Sequence, residues 1–166
     1  MMKKIELYLE SSALWALYYE EQKSEIVEYS IDKPNIICSS SNWTLLELQR
    51  GIQKRFNQKE ITEEEAEHLR VFIETDIHRL VNKRKLILQP ITEEHIHQAR
   101  VLIPKYNLYA SDALHLTTAL LKTSQLLIVD DYHFKRLDEK IKVEQNIEVI
   151  PVTMALDDFN EIIESF

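Results

Sequence analysis

An α/β domain with a mostly parallel sheet is what the sequence predicts, on three observations. Short apolar runs of strand length alternate along the chain with segments of helical spacing. One of those runs, Leu126 to Val129, is apolar at every position, as expected of a central strand buried on both faces. The chain has 166 residues, 45% of them hydrophobic, with charges scattered throughout, which suits one domain around one sizeable core.

Taken in order, Ile5, Leu7 and Leu9 alternate with Glu6 and Tyr8, a period-two pattern that reads as the first strand. Ser11 or Ser12 offers an N-cap for a helix from Ala13 to Glu21. Ser24 caps a short second helix through Tyr29, although Glu25 to Glu28 also passes as a strand. Ile36 to Ser39 is the second strand, entered through Pro34. Trp43 to Phe56 places Leu45, Leu48, Ile52 and Phe56 on one helical face. Thr62 with Glu65 forms a capping box opening a long helix whose apolar side runs Ala66, Leu69, Phe72, Ile73, Ile77, Leu80. The basic run from Asn82 to Lys85 suits that helix's C-terminal dipole.

Leu86 to Leu88 is a third strand, stopped by Pro90. Thr92 caps a helix to about Ile103, which Pro104 ends. Ser111 caps the next, Asp112 to Lys122, ahead of the strand Leu126 to Val129. Tyr132 to Lys140 reads as helix, Ile147 to Val152 as the last strand, and Met154 to Ile163 as a terminal helix. Residues 1–166 thus form a single domain, with 153–166 a C-terminal helical extension whose apolar residues pack on its own core or on a partner.

Composition excludes several classes. A net charge of −8 argues against binding nucleic acid through a broad basic surface, and suits a basic protein partner or a substrate held through cations. The single glycine, Gly51, leaves no glycine-rich phosphate loop. The single cysteine, Cys38, lies in an apolar run and reads as a buried thiol. No run approaches membrane-spanning length and the N-terminus lacks a continuous apolar stretch, so a cytoplasmic protein is expected.

Four acids stand where an apolar strand meets a helix, or early in such a helix: Glu10, Glu47, Asp112 and Asp131. In an open α/β sheet such junctions line the edge where ligands bind. Carboxylates on rigid elements around a cleft suit Mg²⁺ or Mn²⁺, which take oxygen ligands and keep positions open for water and phosphate. Three of the acids alone also have a plain reading: a helix dipole favours Asp112, Asp130-Asp131 makes a turn, and Glu47 lies on a polar face, whereas Glu10, directly after a core strand, is costly unless paired or liganding.

The residues around these acids resemble the motifs of PIN domains. Tyr8-Leu9-Glu10-Ser11-Ser12-Ala13-Leu14 resembles the opening motif, Thr44 to Gly51 the second, and Ser111-Asp112-Ala113-Leu114-His115-Leu116 with Ala119-Leu120 the third. Leu127 to Phe134 resembles the fourth, and the spacing to Phe134 favours Asp131 over Asp130 as its acid. The likeness covers about residues 4 to 152 and is especially close to VapC-like toxins of toxin–antitoxin pairs. It implies a three-layer α/β/α fold with about five strands. It further implies a Mg²⁺- or Mn²⁺-dependent endoribonuclease with Glu10, Glu47, Asp112 and Asp131 as catalytic metal ligands, an RNA substrate, a homodimer and a small antitoxin partner.

Two positions depart from the family pattern. The first acid, usually Asp, is Glu10, and Val129 stands where a Thr is usual. They support an alternative: a catalytically weak PIN-like module that binds RNA or protein. His115 and His133, beside the acids, are placed to contact substrate, although a partly buried or surface histidine is the preferred reading of each, and His78, His95 and His97 form no zinc motif with Cys38. Arg50, Lys54, Arg55, Lys135 and Arg136 could flank an RNA path, and solvated helix faces explain them equally well.

Overall fold

The computed structural model describes residues 4–19, 23–130, 134 and 136–166. Five strands form one all-parallel sheet: β1 (Ile5–Leu9), β2 (Ile36–Ser41), β3 (Leu86–Gln89), β4 (Leu126–Val129) and β5 (Glu148–Pro151). Their order across the sheet is β3-β2-β1-β4-β5. The chain winds one way from β1 and the other way from β4, so these adjacent strands mark the topological switch point, where α/β sheets open a crevice.

The described residues contain eight helices: α1 (Ser11–Ala16), α2 (Glu25–Asp32), α3 (Trp43–Asn57), α4 (Glu63–Asn82), α5 (Glu93–Tyr106), α6 (Ala110–Leu121), α7 (Asp138–Gln145) and α8 (Leu156–Glu164). Strand side chains alternate between the faces of the sheet. Leu7, Leu9, Leu126 and Ile128 join one apolar cluster with α1, α2, α3, α4 and α8. Tyr8, Leu127, Val129 and Val149 join a second with α5, α6 and α7. The result is the expected three-layer α/β/α arrangement. None of the described helices is long and apolar enough to cross a membrane.

Local chemistry explains most element boundaries, and several differ from expectation. Glu10, not a serine, is the N-cap of α1: its backbone is extended and its carboxylate accepts from the Ser12 amide at 2.8 Å. That helix stops at Ala16, and residues 20 and 21, the end of the longer helix expected there, lie outside the described residues. Residues 25–28 are helical rather than extended. The capping box of α4 closes in both directions, Thr62 N to Glu65 Oε2 at 2.7 Å and Glu65 N to Thr62 Oγ1 at 3.2 Å.

Helix α5 runs through Pro104 instead of ending at it. Proline withholds one donor, and the helix continues to Tyr106, where Asn107 at φ 52° donates its amide to the Ile103 carbonyl. Tyr109, not Ser111, caps α6. Phe72, assigned to the buried side of α4, is 57% exposed and meets Tyr18 edge-on at 5.9 Å. Helix α8 packs on the protein's own core: Phe159 is fully buried and meets Tyr29 edge-on at 6.2 Å.

Candidate functional site

The switch point is built from the ends of β1 and β4. Glu10 directly follows β1, and its amide donates to Ile128 O at 3.1 Å, which pins the start of α1 to the neighbouring strand. Ser12 completes the junction. Its hydroxyl donates to Glu10 Oε2 and accepts from the Asp130 amide at 2.8 Å. Ser11 also donates its hydroxyl to Glu10, to Oε1. The Glu10 carboxylate, 5% exposed, is therefore held by three donors from its own helix start.

Glu47 reaches the same place from α3. Its helix presents Glu47, Gly51, Lys54 and Arg55 on one face, at the i, i+4, i+7, i+8 spacing of one stripe. Asp112, in the first turn of α6 and 7% exposed, supplies a third carboxylate. Glu10, Glu47 and Asp112 together line a pocket of about 320 Å³, bounded by Ser11, Ser12 and Ser111 and by the basic Lys54 and Arg55. Three of the four predicted site residues thus converge. Asp131, Lys135 and His133 lie outside the described residues. Arg136 donates to the Asn107 carbonyl at 3.1 Å.

Val129 faces neither the pocket nor solvent. It is fully buried in the second apolar cluster, where a threonine hydroxyl would need a partner. The neighbouring Asp130 pairs with Lys23 at 3.0 Å.

The sequence undervalues one residue of the site. His115, expected to be partly buried or at the surface, is fully buried beneath the pocket. Its Nε2 lies 2.5 Å from Glu47 Oε2 and 3.5 Å from Glu10 Oε1, and its Nδ1 lies 2.9 Å from the Tyr8 hydroxyl. Burial opposes its charged form, but Tyr8, Glu47 and Glu10 outweigh that and push its pKa up to about 10. Burial likewise raises the Glu47 carboxyl, yet hydrogen bonding to and charge on His115 hold it below the usual range. The available signals were its place in the Asp112 motif and its spacing of three from that acid, on one side of a helix.

Glu10, Glu47 and His115 can each offer a ligand atom, all within 4.8 Å of one another. Both imidazole nitrogens are already engaged, so carboxylate oxygens are what this site offers a cation. A cluster of carboxylates with one buried imidazolium as internal counter-charge fits a hard divalent ion.

The family model described as PIN domain matches residues 7–140. No curated protein matches the chain. Among solved structures, the chain is similar to VapBC2 from Rickettsia felis bound to a promoter DNA fragment, at 14% identity and a TM-score of 0.58, covering 89% of this chain and 98% of that one. It is also similar to a toxin–antitoxin complex from Klebsiella pneumoniae, at 18% identity and 0.54, covering 77% and 89%. VapBC-1 from nontypeable Haemophilus influenzae matches at 16% identity and 0.53, covering 90% and 100%. At these identities the likeness is one of fold.

Proposed function

This chain belongs to the PIN domain family, and from that premise we propose that it is a Mg²⁺- or Mn²⁺-dependent endoribonuclease, the toxin of a type II toxin–antitoxin pair. The observation that carries the reading is the convergence of Glu10, Glu47 and Asp112, from three separate elements, on one pocket at the sheet's switch point. Asp131 is the fourth ligand in this proposal, since it follows β4 in the sequence, beside Asp130. A small antitoxin is the proposed partner, in keeping with the net charge of −8 and with the toxin–antitoxin complexes among the structural neighbours. The protein acts as a homodimer, for which the exposed Ile96 and Val101 of α5 offer apolar surface.

In the proposed mechanism Glu10, Glu47, Asp112 and Asp131 would hold the cation, which when bound would lower the pKa of water and neutralise charge on the phosphodiester oxygens. Ser11 and Ser12 fix the Glu10 carboxylate, and His115 fixes that of Glu47, so neither must reorganise when substrate arrives. Lys54 and Arg55, at the pocket wall, attract and orient the phosphate chain.

One observation favours the second reading, a weakly catalytic binding module. Glu10 serves as a helix N-cap, and both its oxygens already accept hydrogen bonds from serines. Cleavage of RNA and DNA with Mg²⁺ or Mn²⁺ separates the readings, using wild type, Asp112→Asn and Glu10→Asp. The nuclease reading expects metal-dependent RNA cleavage that Asp112→Asn abolishes. No cleavage of either substrate, even by Glu10→Asp, leaves the binding module.

A further inference from the structure

We propose that Trp15, Tyr19 and Arg55 form a base-stacking subsite beside the acidic pocket, which holds an unpaired nucleobase next to the phosphodiester to be cut. The position of that phosphodiester rests on the nuclease reading above; the subsite itself is tested by binding alone.

The Trp15 and Tyr19 rings stack with centroids 5.5 Å apart and planes inclined by 27°. The Arg55 guanidinium lies 4.7 Å from the Trp15 ring and 4.0 Å from the Tyr19 ring. The three come from α1, the turn after it, and α3. Gly51, one turn before Arg55, makes room for the indole: a Cβ there would lie 3.2 Å from Trp15 Cζ3.

Position gives the stack its meaning. Trp15 and Arg55, with Lys54, line the pocket that contains Glu10, Glu47 and Asp112. Tyr19, 38% exposed, lines a neighbouring hollow of about 390 Å³ with Leu69, Phe72 and His68. The aromatic pair therefore runs from the acidic pocket to a mostly apolar hollow beside it.

A phosphodiester seated among the acids carries a nucleoside on either side. Tyr19, the exposed ring of the stack, offers a base its π surface while Trp15 and Arg55 back it, and Lys54 supplies charge for an adjoining phosphate. A base paired in a duplex cannot present its face in this way, so the subsite takes an unpaired base. The subsite tolerates any sequence, because stacking reads no hydrogen-bonding edge. It also answers how a chain of net charge −8 grips RNA: locally, with rings, rather than with a basic surface.

The test is fluorescence anisotropy of a labelled single-stranded oligoribonucleotide of about eight nucleotides, with a duplex of the same sequence alongside. The full-length Asp112→Asn protein is used so that the strand stays uncut. Adding Tyr19→Ala is expected to weaken single-strand binding roughly 5- to 100-fold, the loss of one stacked base, and Tyr19→Phe to leave it within about twofold. An abasic residue at one position of the strand is expected to erase the difference between Tyr19→Ala and Tyr19→Phe.

Equal single-strand affinity of Tyr19→Ala and Tyr19→Phe overturns the proposal and assigns the rings to packing or to a protein contact. Preference for the duplex overturns it as well. Because binding is read in the uncut complex, a wild type that cleaves nothing would defeat the nuclease reading while leaving the subsite standing.

Discussion

His115 Nε2 sits 2.5 Å from Glu47 Oε2, a contact between side chains 68 residues apart that joins α6 to α3 beneath the acidic pocket. Through Nδ1 the same ring meets the Tyr8 hydroxyl of β1. One buried imidazole thereby ties the sheet to two helices and supplies the positive charge that two neighbouring carboxylates require.

Removing that ring strands the acids. His115→Leu is expected to destabilise the protein by about 3 kcal/mol in urea unfolding without divalent cations, because it leaves buried charge uncompensated. His115→Gln, which keeps a donor, is expected to lose clearly less. Equal losses for the two variants would show that the ring merely fills space.

Glu10 caps α1 and, in the proposed site, would also hold the cation; substitution separates the two. Glu10→Ala removes the N-cap and is expected to cost about 1 kcal/mol of stability along with cation binding. Glu10→Asp preserves a strong capping side chain and is expected to unfold within about 1 kcal/mol of wild type. Thermal melts and Mn²⁺ titrations of both variants check this. A large loss of stability in Glu10→Asp would mean that the longer side chain is itself required by the serine contacts.

Gly51→Ala puts a methyl group 3.2 Å from Trp15 Cζ3, where the indole is already stacked against Tyr19 and covered by Arg55. Alanine gains about 1 kcal/mol in helix propensity, but overpacking costs about 1–3 kcal/mol. A net destabilisation of about 1 kcal/mol is expected, measured by chemical denaturation. A stabilised variant would show that Trp15 can shift freely.

Cys38 is buried in β2, and burial alone pushes its thiol up to about 12. Since the folded value exceeds the unfolded one near 9, this group's contribution is fully present below about pH 9 and is lost as pH rises towards about 12. Iodoacetamide at pH 8 is therefore expected to spare the native protein and modify it fully in denaturant. Rapid labelling of the native protein would contradict the buried strand.

The chain's local chemistry announced much of this molecule. The alternating run at Ile5 and the short apolar runs at Ile36, Leu86, Leu126 and Ile147 became five parallel strands, because each is too short for a buried helix and places apolar side chains on a covered sheet. Glu10, Glu47 and Asp112 were legible because strand–helix junctions of a parallel sheet fall on one edge. His115 was not, since its partners Tyr8 and Glu47 are 107 and 68 residues away and nothing local marks them. The Trp15–Arg55 contact was hidden for the same reason. Pro104 misled because a proline in the last turn of a helix removes one bond without breaking the packing that holds α5.

Titration of Mn²⁺ into the protein by calorimetry tests most directly whether carboxylates from separate elements make one cation site. Wild type is expected to bind, and Glu10→Gln, Glu47→Gln and Asp112→Asn each to weaken binding by about tenfold or more. Wild type that takes up no Mn²⁺, or three variants that bind it as wild type does, would contradict the site.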